Sequence, residues 1–223
     1  MREAVRRREI RRPSYYVEGE LAAAAIEVLN AYYRPVGGFD GRYFDQLAAT
    51  ADPFQFTPAD LLAVRMLSVE VPPDVAMWLL GDGQAETASL LKAIPAEAAI
   101  WDAGDLLCRG SAAWELWDFL HGMTGLGDTT TSKLLAAKRP QLIPIWDSVV
   151  GKALFGNDVN GYWESWVSWF AGDNGKVLRS AYEGLRKSAE VPAFVSTLRL
   201  VDVVVWMHHK VARESDINPT TMA

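Results

Sequence analysis

Apolar residues recur at helical spacing along most of this chain, and almost nowhere do they alternate in the two-residue rhythm of a half-buried strand. The clearest pattern is the last one, over residues 193–212. There Phe194, Leu198, Val201, Val205 and His208 fall at steps of four, three, four and three along one stripe. Val203, Val204 and Val205 alone would suit a strand, but the pattern around them is helical. Residues 18–33 are rich in Ala and Leu, with Gly19 at their start and no Gly or Pro after it, and Pro35 with Gly37 and Gly38 ends them. Thr57 followed by Pro58 is an N-cap with proline at the first helical position, and it opens a helix over 58–68. Pro72 and Pro73 restart the chain into 74–80, which Gly81 and Gly83 terminate. Further helices are predicted at 41–49, 87–93, 111–121, 129–137, 147–155, 161–171 and 175–188. No hairpin signal, internal repeat or low-complexity segment interrupts this series. The expected fold is all-α: a two-lobed bundle of about ten helices joined by short connections.

Size and composition narrow the class. The chain has 223 residues, half of them apolar and 22% charged, enough for a packed core and unlike a disordered segment. The longest stretch free of Asp, Glu, Lys and Arg is 119–127, nine residues, where a membrane span needs about 18. The basic N-terminus has no apolar run behind it, so a cytoplasmic, bacterial-type protein is expected. A single cysteine, Cys108, excludes an intrachain disulfide and a four-thiolate cluster; without an activating neighbour it reads as an inert small residue. His121, His208 and His209 show no zinc-ligand spacing, so no metal and no cofactor are expected. His208 lies on the apolar stripe as a core histidine. His209 lies on the other face, with Arg199, Asp202, Trp206 and Arg213, and is expected to be exposed.

Charge changes the picture. The net is −6. Residues 1–12 carry six Arg and two Glu, a net of +4, which leaves −10 on the other 211. A body this acidic has no bulk attraction for nucleic acid. The arm Arg6, Arg7, Arg8, Arg11 and Arg12 is either a phosphate contact or a solvated terminus.

One segment carries chemistry. Residues 121–150 read HGMTGLGDTTTSKLLAAKRPQLIPIWDSVV. Gly125 and Gly127 make a tight turn between two predicted helices, and backbone N–H groups at the start of the second form an anion nest. This stretch resembles the hairpin and catalytic loop of the helix–hairpin–helix DNA glycosylase superfamily (HhH-GPD): Gly-hydrophobic-Gly, a helix, then a Pro-bounded loop ending in Asp. In the family's lyases a lysine follows the second glycine by two residues and the catalytic aspartate comes 18 later. Those positions are Thr129 and Asp147 here, in register without a gap. Residues 56–80, with Leu67 and Ser68, are similar to the family's preceding helix pair, and the loop most resembles that of a divergent bacterial branch.

The resemblance implies Asp147 as the catalytic carboxylate. It also implies nucleic-acid contacts at Gly125, Gly127, Thr129 and Thr130, at Glu70 (where the family inserts a glutamine into the gap left by an extruded base) and at Trp146. It further implies three parts: a basic arm 1–17, a barrel lobe 56–150 carrying the hairpin, and a flanking lobe 18–55 plus 151–213. DNA is the expected partner.

The departures are equally specific. Thr129 removes the lyase amine, Glu70 and Asp128 put anions where phosphates crowd, and Trp146 replaces a small aliphatic residue. Each candidate also has a structural reading: Asp147 as the N-cap of 147–155 and Trp146 as core. Two functions therefore stand open. One is a glycosylase-like enzyme that hydrolyses an N-glycosidic bond of a damaged or modified nucleotide without lyase activity. The other is an inactive helix–hairpin–helix scaffold that binds nucleic acid or protein.

Overall fold

A computed structural model describes residues 11–156 and 161–217, the side chains of 211–217 excepted. Among the described residues it is all-helical, with eleven α-helices and no strand. They are α1 (Glu20–Tyr33), α2 (Arg42–Thr50), α3 (Pro58–Met66), α4 (Pro73–Leu80), α5 (Gln84–Ala93), α6 (Ala112–His121), α7 (Asp128–Lys138), α8 (Ser148–Phe155), α9 (Tyr162–Phe170), α10 (Gly172–Ser188) and α11 (Thr197–Ile217). Short 3₁₀ helices at Pro13–Val17, Ile100–Asp102 and Gly104–Leu107 complete the set. No described helix is long and apolar enough to cross a membrane.

The helix boundaries follow from local chemistry. Thr57 caps α3, and the Asp60 carboxylate accepts the Thr57 amide and hydroxyl, both at 2.8 Å, closing a capping box. Ser111 Oγ caps α6 by accepting the Trp114 amide. The Asp147 carboxylate caps α8, and Gly156, left-handed at φ 64°, ends it. The last helix starts four residues later than its apolar stripe suggests, because Ser196 Oγ accepts the Arg199 amide at 3.0 Å and sets the N-cap there.

One buried cluster runs through the molecule, with Tyr16, Phe44, Phe56, Trp166, Phe170 and Tyr182 among its largest members. The first helix packs on α10 and α11, and the 3₁₀ helix Pro13–Val17 lies against all three. Tyr182 donates its hydroxyl to Pro13 O at 3.1 Å, and the Tyr16 hydroxyl lies 2.8 Å from His209 Nε2. His209 is therefore half-buried rather than exposed: the face of α11 read as solvent-facing is covered by the N-terminal segment and α1. His208, beside it on the Tyr16 ring, is held below the usual histidine value by burial. Meanwhile α2 packs on α3 and α7, α5 and α7 flank α6, and α8 packs on α11.

Two cations at the end of α7 join these parts. Lys138 pairs with the fully buried Asp60 and donates to Asp52 O at 2.7 Å. Arg139, also fully buried, donates to the carbonyls of Leu91 and Ile94 at the end of α5 and to Pro53 O. It thereby satisfies the carbonyls that a helix terminus leaves without partners. Burial holds its guanidinium down at about 10.

Candidate functional site

The turn between α6 and α7 is built on glycine for a steric reason at one position only. Gly125 sits at φ 89°, and a Cβ there would meet Pro72 Cγ at 2.7 Å. Gly127 is exposed, with extended backbone and nothing within 4 Å of where a Cβ would stand, so no packing constraint demands glycine there. Thr129 and Thr130 follow, half-exposed in the first helical turn. Asp128 is exposed and pairs with His121 at 2.9 Å. Of the basic arm, Arg6, Arg7 and Arg8 lie outside the described residues, and Arg11 stacks on the Tyr15 ring.

The position of Asp147 is fixed from two sides. Ser132, in α7, accepts the Trp146 amide at 2.9 Å, and the Tyr162 hydroxyl donates to Ile145 O at 2.6 Å. These bonds pin 145–147 to the hairpin helix and to α9. Asp147 Oδ1 accepts the Val149 amide at 2.8 Å, and the same side chain borders a cavity of about 300 Å³.

The walls of this cavity come from all parts of the chain: Tyr32 and Phe39, then Ser68, then Lys133 and Asp147, then Asp202. Lys133 lies one helical turn beyond Thr129. Its ammonium donates to Leu67 O at 2.8 Å; burial pushes it below the usual lysine value while the Asp147 carboxylate opposes that shift. Ser68, next to Leu67, is held left-handed at φ 61°, a strained conformation for a non-glycine residue on a cavity wall.

The cavity floor is a buried charge network. Arg199 reaches the Asp202 carboxylate, Asp45 at 3.3 Å, Gly41 O at 3.3 Å and the Tyr32 hydroxyl. One oxygen of Asp202 is buried with no hydrogen-bond donor on it. Burial raises Asp202, Arg199 lowers it, and the neighbouring Asp147 charge raises it further. Asp45 is pushed up to about 6, again by burial against the opposing Arg199. Two carboxylates thus share one guanidinium, and burial makes each harder to ionise.

This arrangement has a measurable pH signature. Native Asp45 keeps a proton that the unfolded chain releases near 3.8. Its stability contribution is full below about pH 4 and falls as pH rises to about 6, at up to about 1.4 kcal/mol per unit. In Asp45→Asn that fall is absent. Urea unfolding at pH 4 and pH 6 should show the variant losing less stability over the interval than the wild type; equal losses would remove Asp45 from the account.

The remaining sequence candidates lie elsewhere. Glu70 is exposed and pairs with Arg65 at 2.8 Å; it does not line the cavity, although Ser68 does. Trp146 lines a different cavity and packs edge-on against Tyr162. Cys108 is free and exposed, and no cluster of metal-ligating side chains occurs among the described residues. Sequence reading missed Lys133, Arg199 and Asp202 as a group. The available signal was charge at positions 199 and 202 of the apolar first half of α11, where each charge is costly unless paired.

A family model described as a family of unknown function (DUF6308) matches residues 25–209. No curated protein and no solved structure matches the chain.

Proposed function

Starting from the premise that the chain belongs to the DUF6308 family of unknown function, we propose that it is a glycosylase-like enzyme. It hydrolyses an N-glycosidic bond of a modified nucleotide, with Asp147 as the catalytic carboxylate. The supporting observation is that Asp147, the residue singled out by the helix–hairpin–helix resemblance, borders a cavity with Lys133 and Asp202. Its volume, about 300 Å³, suits a small planar ligand. Its walls come from 18–55, 56–150 and 151–213, the segments of the two expected lobes.

In this reading DNA is gripped by backbone amides of the hairpin at Gly125, Gly127, Thr129 and Thr130, and the target base swings out into the cavity. As the bond between the base and the sugar breaks, positive charge builds on the sugar. The Asp147 carboxylate stabilises that charge and takes a proton from the attacking water. Lys133 offers an ammonium donor to the departing base, and the Tyr32 and Phe39 rings, parallel at 5.3 Å, supply an apolar wall.

The test is release of free base from oligonucleotides carrying a panel of alkylated, oxidised and deaminated bases. Under borohydride, no covalent complex with abasic DNA is expected, because Thr129 carries no amine. A trapped complex that disappears in Lys133→Met would move the nucleophile one turn along α7 and make the protein a lyase. A second reading is favoured by the Val149 amide on Asp147 and by the anion Asp128 at the hairpin. There Asp147 is a helix cap and the chain is a binding scaffold; failure of base release across the panel would select it.

A further inference from the structure

Trp146 takes no part in the cavity beside Asp147; it belongs to a second one, of about 230 Å³, between α6 and α9. Trp114 and Trp117 of α6 and Tyr162 and Trp163 of α9 form its other aromatic walls. Their rings are mutually tilted or perpendicular. Trp114 and Trp163 lie 4.5 Å apart at 47°, Trp117 and Trp163 5.6 Å apart at 80°, and Trp114 and Trp117 6.3 Å apart at 68°. Trp163 and Tyr162 are buried, while Trp114, Trp117 and Trp146 keep part of their surface open.

Carboxylates complete the lining. Asp118 and Glu164 are exposed and stand at the rim, and Asp128 does so while paired with His121. A cation already exploits one wall: the Arg109 guanidinium sits 3.7 Å over the Trp114 ring. Indole faces carry negative potential, and several converging on one space bind a cation that is large, soft and weakly hydrated. The rim carboxylates could accept from a primary ammonium but the aromatic walls could not, so a cation with few or no N–H donors fits the space best.

We infer that this cavity is an aromatic cage for a methylated ammonium group, carried by a small molecule or by a methylated lysine side chain. Arg109 occupies the Trp114 face until the ligand displaces it. The inference rests on the rings and the rim, and is independent of the role of Asp147.

The probe is choline chloride, followed by calorimetry and by the N-methyl proton resonance, with 3,3-dimethylbutan-1-ol as the neutral isostere and sodium chloride as the salt control. Choline should bind saturably, with an upfield shift of its methyl signal from the ring currents. The isostere should bind at least about fivefold more weakly, since only the charge distinguishes the two. Trp117→Leu should weaken choline by a similar factor, and the exposed Glu164→Gln by about twofold. Arg109→Gln should tighten it, because the competing cation is gone. Equal binding of choline and the isostere, or no saturation by about 50 mM choline, overturns the inference. A methyl-lysine peptide that binds more tightly than choline assigns the cage to protein recognition; the reverse assigns it to a small molecule.

Discussion

Asp147→Asn should fold as stably as the wild-type protein and release base about 10²–10⁴-fold more slowly. The two effects separate because the cap and the proposed catalytic role draw on different properties of the side chain. One job is to cap α8, where Oδ1 accepts the Val149 amide at 2.8 Å. Asparagine presents the same carbonyl oxygen and caps about as well, so the stability change should stay well under about 1 kcal/mol. The other job needs a negative charge, which asparagine cannot supply to an electron-poor sugar. Asp147→Ala loses both, and should add a cap cost of about 0.5–2 kcal/mol. The charge leaves a second trace: Asp147 supports the Lys133 ammonium and raises Asp202. In Asp147→Asn, Lys133 should therefore titrate lower still, readable from its side-chain resonance. Base release that is unchanged in Asp147→Asn would reduce the residue to a cap and remove the enzymatic reading.

The largest stability loss is expected at Arg139. Its guanidinium donates to the carbonyls of Leu91, Ile94 and Pro53 together, and methionine would fill much of its volume while stranding the Ile94 and Pro53 carbonyls and leaving Leu91 O with only the Ile94 amide. Each stranded buried acceptor costs about 1–3 kcal/mol. Removing a buried charge that lacks a close carboxylate returns part of that sum. A net loss of about 2–4 kcal/mol should lower the urea midpoint at constant slope and lower Tm by about 10 °C. Arg139→Lys should recover only a fraction, because an ammonium cannot reach three carbonyls in the guanidinium's plane. A change below about 1 kcal/mol in Arg139→Met would mean that water serves these carbonyls equally well.

Much of the architecture was legible from local signals. Thr57 and Pro58, the prolines at 72 and 73, and Gly81 punctuate the chain at positions where the helices do begin and end. Asp147 was legible because a resemblance supplied its register and because Asp before a helical pattern is a strong cap. The cavity floor was not. Arg199 and Asp202 share a face of α11 with Trp206, and periodicity assigns such a face to solvent. Only the partners Asp45 and Tyr32, more than 150 positions away, make that face an interior one. The 3₁₀ helices at Ile100–Asp102 and Gly104–Leu107 were missed because they carry too few residues for any period to register. Nor could spacing reveal that Trp146 joins Trp114 and Trp163, since the three lie on different elements.

The attachment of α1 to α10 and α11 also has a schedule. During synthesis α1 leaves the ribosome with Ala25, Leu29 and Tyr32 uncovered. The roughly 140 residues from Tyr33 to Gly172 then take about 7–28 s to appear at about 5–20 residues per second. Over that interval α2, α3, α5, α6 and α7 can settle on one another, while α1 waits as an amphipathic segment without its partners. Nascent chains stalled before residue 172 should therefore expose a protease-sensitive, chaperone-binding α1 ahead of a protected middle, and chains released after α11 should protect both.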